Sequence, residues 1–427
     1  MDERDRNAPA VVVSCDSHVG PRLVEDLRHY CPSEHLESFD EDAARQVEQK
    51  AAFEKLLGAR MDPAKAAARA AHPNLHIPGH HDPHARIRDM DRDGVASAAI
   101  YHFSQNGENL PWVGQGLGTV LDFERGALAY RIYNRWLADF CSVEPDRHIG
   151  LAYLPTWDID LAVKELHWAR EHGLRAVNFP PPSKPGHLEY NNPAWEPFWS
   201  ACEEFDMALT THSSGAAPFD YLSGPGGTSI MIFESGGYMA RRAVWWLTMS
   251  GVFERHPNLR LVITEQFEGW WSYTIHEMDV VSRRFGLDLD LPKPPSDYVR
   301  SNVYLGGSFL SRAQAEDAYR EGYSDNVIWG SDYPHIEGTF LASDDPVAEP
   351  ITRLALRNTF CGVPDEAAVR MAGTNGIRAF GLDAAALRRV AERINAPSAA
   401  ELTTAPEHLP EIPEGSMAFS GQVGFLA

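Results

Sequence analysis

Val11-Val12-Val13-Ser14-Cys15 runs directly into Asp16-Ser17-His18. A short contiguous apolar run reads as a strand buried on both faces, because such strands do not alternate with polar residues. Asp16 and His18 are two apart, so in extended backbone their side chains leave the same face. The pattern recurs along the chain. Ala208-Leu209-Thr210-Thr211 ends in His212, Leu261-Val262-Ile263-Thr264 in Glu265, and Val327-Ile328-Trp329-Gly330-Ser331 in Asp332. Strands are expected near 10–16, 95–101, 149–155, 175–180, 207–213, 260–265, 302–307 and 327–332. Helical patterns fall at 123–142, 158–173, 193–205, 235–256, 267–285 and 311–322. Strand–helix alternation of this kind builds a parallel sheet. Eight units imply an α/β chain closed into a (β/α)8, or TIM, barrel. The alternative is an open doubly wound sheet, but no G-x-G-x-x-G turn follows the first strand. In a barrel the C-terminal strand ends gather at one mouth, and a catalytic metal is held there.

The chain has 427 residues, 44% hydrophobic and 10% aromatic, enough for one large barrel with insertions. The barrel is expected over 1–382, with a long insertion at 19–82 that includes an Ala-rich helical stretch around 41–71. A C-terminal helix near 384–395 and a Pro-rich, acidic tail make up 383–427. A net charge of -22 argues against nucleic acid or an anionic membrane as partner. The five cysteines are scattered, with no C-x-x-C pair, which suits a reducing compartment. The charged N-terminus has no apolar leader and no run is long enough to span a membrane, so a cytoplasmic protein is expected.

Asp16, His18, His212, Glu265 and Asp332 therefore form the candidate metal set. Each has a blander reading: Asp-Ser-His can simply turn, a lone strand-end histidine is often hydrogen-bonded in a core, and Glu265 can pair with Arg241 or Arg242. Four equivalent strand ends together favour metal. Pro78-Gly79-His80-His81-Asp82-Pro83-His84 precedes the helix leading to strand two, with Asp82 suited to cap it and Pro83 at its first position. That helix start lies at the mouth, so one of His80, His81 and His84 is expected to ligate, His81 first. His102, His335 and Glu337 follow strands two and eight and are expected behind the ligands or against substrate. Trp270, soon after Glu265, is a candidate wall for an apolar substrate pocket, and Asp332 and Glu265 are the candidate catalytic groups.

These residues resemble the amidohydrolase superfamily, in its amidohydrolase-related branch with the aminocarboxymuconate-semialdehyde decarboxylases. The resemblance covers roughly residues 10–382. It rests on Asp16-Ser17-His18, Arg88-Asp89-Met90-Asp91-Arg92-Asp93-Gly94-Val95, Gly251-Val252-Phe253-Glu254-Arg255-His256-Pro257, Trp329-Gly330-Ser331-Asp332-Tyr333-Pro334-His335 and Asn375. It implies that Asp16, His18, His212 and Asp332 hold the branch's metal, and that the protein assembles as a homo-oligomer. Decarboxylases of the branch place a catalytic histidine where this chain has Glu265. That departure, with the histidines at 80, 81 and 84, makes the chain similar to the branch's nonheme diiron hydroxylases.

Two divalent metals are then expected, iron before manganese or zinc, held by Asp16, His18, His81, His212, Glu265 and Asp332. The activity would be an O2-dependent monooxygenation of a hydrophobic small molecule, drawing on O2 and a reductant. The alternatives are a zinc or manganese hydrolase acting on an amide, C–N or C–C bond, a decarboxylase of the same superfamily, or a non-catalytic subunit that keeps the fold.

Overall fold

A computed structural model describes residues 3–60, 62–113, 120, 122–180, 186–212, 225–227, 230, 233–234, 238–266, 269–285, 291–308, 310–343, 345, 347–413 and 415–419. Position 213 of an expected strand, positions 235–237 and 267–268 of expected helices, and 420–427 of the tail lie outside these residues.

Nine strand segments form one parallel sheet: β1 Val13–Ser14, β2 His18–Val19, β3 Ser97–His102, β4 His148–Tyr153, β5 Ala176–Asn178, β6 Ala208–Thr211, β7 Leu261–Ile263, β8 Val303–Gly307 and β9 Val327–Trp329. β3 to β9 pair in chain order, and both β1 and β2 pair with β3. The ring closes between β9 and the first strand, where Cys15 N donates to Trp329 O at 3.0 Å and Asp332 N to Asp16 O at 3.1 Å. All eight expected strands are present, shorter than their apolar runs.

The first strand differs from expectation in an instructive way. Val13 stands opposite Ser97 and His18 opposite Tyr101. Five steps on one strand thus face four on the other, which is a bulge of one extra residue. The extra residue lies in Cys15–Ser17, where the backbone turns to β9 instead, with Ser17 paired to Tyr333. A bulge at a barrel rim re-aims side chains, and here it serves Asp16.

Between the strands run the helices Phe123–Cys141, Ile159–Glu171, Glu196–Glu204, Met239–Met249, Trp271–Phe285 and Arg312–Arg320. The helix expected over 235–256 is interrupted at Gly251, whose φ of 73° ends Met239–Met249 before Val252–Arg255 begins. The insertion supplies Leu36–Arg60 and Pro63–Ala70, and the helix Pro83–Asp93 follows, capped by Asp82 Oδ1 from His84 N and Ala85 N. Phe380 and Leu387 pack with Val13 and Ile328 at the end opposite the mouth. There buried Asn375 donates its amide to Ser324 O and Val327 O. No described helix is long and apolar enough to cross a membrane.

Candidate metal centre at the barrel mouth

Asp16, His18, His212, Glu265, Asp332 and His335 meet at the C-terminal ends of the strands. His18 Nε2 stands 3.2 Å from both Asp16 Oδ1 and Asp332 Oδ1, and His212 Nε2 is 3.5 Å from Asp16 Oδ1. Three overlapping groups have ligand atoms within 4.8 Å of one another: Asp16 with His18 and His212, His18 with Asp332 and His335, and Asp16 with Glu265 and Asp332. Donors about 2.1 Å from a shared ion sit about 3.0–3.5 Å apart, so the spacing fits a divalent metal. The buried atoms fit it too, since among the described residues Asp16 Oδ1, His18 Nε2 and Asp332 Oδ2 have no well-formed hydrogen bond. Leaving such atoms dry and unpaired would be costly without a cation.

The surroundings orient each donor. His18 Nδ1 faces His102 O at 3.1 Å, which places the proton on Nδ1 and turns the Nε2 lone pair toward the carboxylates. Ser308 donates to Asp16 Oδ2 at 2.5 Å, leaving Oδ1 to the site. Glu265 Oε2 lies 3.6 Å from His212 Nδ1, on the ring edge opposite Asp16. His335 stacks on His18 with ring centroids 3.8 Å apart. It spans Asp332 Oδ1 at 2.9 Å and Phe103 O at 2.8 Å.

Electrostatics follow the geometry. Burial pushes the Asp16 carboxyl up, but the imidazoles of His212 and His18 outweigh it and hold it well below the usual carboxylate range. Burial, reinforced by Asp332 and Asp16 and only partly opposed by His212, raises the Glu265 carboxyl well above its ordinary value. Burial lowers His335, yet its two oxygen partners reverse this and carry it to about 9. His102 is half-buried, its ring edge-on to Tyr133 and Tyr153, and desolvation takes it down to about 3.

The structure does not bring the first-loop histidines into this set. His80 uses both ring nitrogens elsewhere, on Ser104 Oγ at 2.7 Å and Asn74 O at 2.8 Å. His81 is half-buried beside Arg22, Asp26, Asp82 and Glu108, and His84 is exposed on the first turn of its helix. None of the three belongs to a metal-sized group among the described residues. Spacing along the chain puts them near the mouth, but loop geometry turns them aside. Trp270 is 8% exposed, with the Arg241 guanidinium 4.9 Å above its ring and Trp271 edge-on at 5.5 Å. Ser308, which orients Asp16, is a site residue outside the sequence-derived set. Ser308 follows an apolar strand as Asp16 does, and the same strand-end rule would have found it.

A family model described as amidohydrolase matches residues 71–382. The gamma-resorcylate decarboxylase of Rhizobium sp. (strain MTP-10005) is 28% identical over 278 residues, spanning 61% of this chain and 78% of the relative. That of Polaromonas sp. (strain JS666 / ATCC BAA-500) is 26% identical over 262 residues, 58% of this chain and 76% of its own. An amidohydrolase from Mycobacterium avium subsp. paratuberculosis K-10 superposes with a TM-score of 0.61 at 17% identity, covering 88% of this chain and 99% of its own. The 5-carboxyvanillate decarboxylase of Novosphingobium aromaticivorans DSM 12444, complexed with manganese and 4-hydroxy-3-methoxy-5-nitrobenzoic acid, superposes at 0.57 and 18% identity over 90% and 100%. At such identities the two structures speak for the fold alone.

Proposed function

The chain belongs to the amidohydrolase family, and from that membership we propose that it is a divalent-metal-dependent, non-oxidative decarboxylase of a small aromatic carboxylic acid. The observation that carries this reading is one compact set of buried donor atoms, from Asp16, His18 and Asp332, sized for a cation. Curated relatives that are decarboxylases of an aromatic acid supply the reaction class.

Asp16, His18, His212 and Asp332 would hold the metal. When bound it would supply positive charge and Lewis acidity against the substrate's oxygens. The chain's own contribution is distinct. The ionised Asp16 would repel an anionic carboxylate, whereas Glu265, whose carboxyl is raised by burial, favours its neutral form beside it. Loss of CO2 leaves an electron pair on the ring carbon, which takes a proton. A carboxyl of the cluster, Glu265 or Asp332, would deliver that proton. Glu265 stands where the branch's decarboxylases place histidine, so proton delivery here would pass through a carboxyl.

The dinuclear iron oxygenase finds less support. It requires an imidazole from His80, His81 or His84, and these lie outside the metal-sized groups, while the curated relatives are decarboxylases.

Protein purified without added metal and assayed anaerobically against hydroxybenzoic acids tests the proposal. About one manganese or zinc per chain and CO2 release independent of O2 are expected. About two irons per chain with a hydroxylated product formed only in O2 would overturn it.

A further inference from the structure

Arg86 is fully buried, although a guanidinium is among the costliest groups to remove from water. Its Nη1 donates to His18 O at 2.9 Å, its Nη2 donates to Ser17 Oγ, and its plane lies over the Tyr333 ring, 4.8 Å from the centroid. All three partners belong to turns that carry candidate ligands. Ser17 sits between Asp16 and His18, and Tyr333 follows Asp332.

The two turns are also tied to each other and to the same helix. His18 N donates to Tyr333 O at 2.5 Å, and Ser17 Oγ donates to Ala99 O. Tyr333 donates its hydroxyl to Asp89 Oδ2 at 2.7 Å, and Asp89 lies one turn after Arg86 on Pro83–Asp93. Gly79 makes room for that hydroxyl, since a methyl group at residue 79 would overlap it. A methionine would fill the space of Arg86 without a charge to desolvate, so packing alone does not account for arginine here.

We propose that Arg86 is a positioning residue that clamps the Asp16–His18 turn to the Asp332–Tyr333 turn at the separation a divalent metal requires. The inference rests on the metal-dependent reading above. Backbone hydrogen bonds keep the two turns adjacent without the clamp, but its loss releases Ser17 Oγ and the Tyr333 ring and is expected to change the 3.2 Å gap between His18 Nε2 and Asp332 Oδ1.

The test is Mn2+ titration of the full-length protein, with the Mn2+ electron paramagnetic resonance spectrum recorded at saturation. Arg86→Met is expected to weaken Mn2+ binding about 10- to 100-fold and to alter the spectrum, as losses behind a ligand commonly do. Arg86→Lys, which keeps the charge and can reach one acceptor, is expected to recover part of the affinity. Should Arg86→Met fail to fold, Ser17→Ala decides, with a loss of about 3- to 10-fold expected. Wild-type affinity and spectrum in Arg86→Met, or in Ser17→Ala if only that variant folds, would overturn the clamp while leaving the metal reading intact. Wild-type protein that binds no Mn2+ would remove both.

Discussion

Glu265 and Asp332 hold their backbones at φ 57° and 53°, in the left-handed region that L-residues with a side chain rarely adopt. Each such residue stores about 1–3 kcal/mol. The strain has a use, because a left-handed residue just past a strand swings its side chain back toward the barrel axis. At Glu265 this brings Oε2 to 3.6 Å from His212 Nδ1 and within reach of Asp16 and Asp332. Glycine at 265 adopts the same backbone without strain and removes one of three crowded carboxylates. Glu265→Gly is therefore expected to raise the unfolding free energy of the metal-free protein by about 1 kcal/mol. Its Mn2+ affinity is expected to fall about tenfold. Denaturant melts and Mn2+ titration measure the two effects, and a less stable variant with unchanged affinity would show that the residue is neither strained nor part of the metal site.

The elements that carry the site were the most legible part of the chain. Parallel barrel strands are covered on both faces, so each appears as an unbroken apolar run, and the polar residue that ends it marks the mouth. Asp16, His18, His212, Glu265 and Asp332 follow from that rule. What escaped it was set by contacts between distant segments. The bulge in the first strand depends on how Cys15–Ser17 bonds to β9 and to Tyr333 in the turn after it. The turning away of His80 depends on Ser104 and Asn74. Joints between elements belong to the same class. Asp93 ends the helix Pro83–Asp93 and accepts from Thr352 Oγ1 at 2.5 Å, on the helix Ile351–Phe360, while Thr352 also reaches Thr339 O at 3.2 Å. Burial raises the Asp93 carboxyl to about 7 from an ordinary 3.8, and a protonated Asp93 can donate to Thr352, which then donates to Thr339. Between about pH 4 and pH 7 the folded chain retains a proton that the unfolded chain has released, so stability falls as pH rises through that window. The loss is on the order of 4 kcal/mol. Asp93→Asn, which cannot ionise, is expected to flatten that part of the profile in chelator-treated protein. An unchanged slope in the variant would assign the pH dependence to other groups.

At the scale of the whole molecule, the barrel concentrates negative charge where its function requires a cation. The chain carries a net charge of -22, and three carboxyl groups converge within 4.8 Å at the mouth, interleaved with the imidazoles of His18, His212 and His335. Closing the ring between β9 and the first strand forces Asp16 and Asp332 together, since Asp332 N is bonded to Asp16 O. The fold thus buries donor atoms at a cost in desolvation, and a bound ion would offset it. Mn2+ at about a hundred times its dissociation constant should raise the unfolding free energy by about 2.7 kcal/mol, because only the folded barrel gathers the donors. Dialysis against a chelator is accordingly expected to lower the melting temperature, and Mn2+ to restore it with a shift that grows with the logarithm of its concentration. Asp332→Asn separates the two contributions. Losing one of the crowded charges should make the metal-free variant more stable than the metal-free wild type, while its response to Mn2+ largely disappears. If chelated and Mn2+-loaded wild-type protein melt at the same temperature, the convergence at the mouth is not a metal site and the barrel holds its carboxylates for another reason.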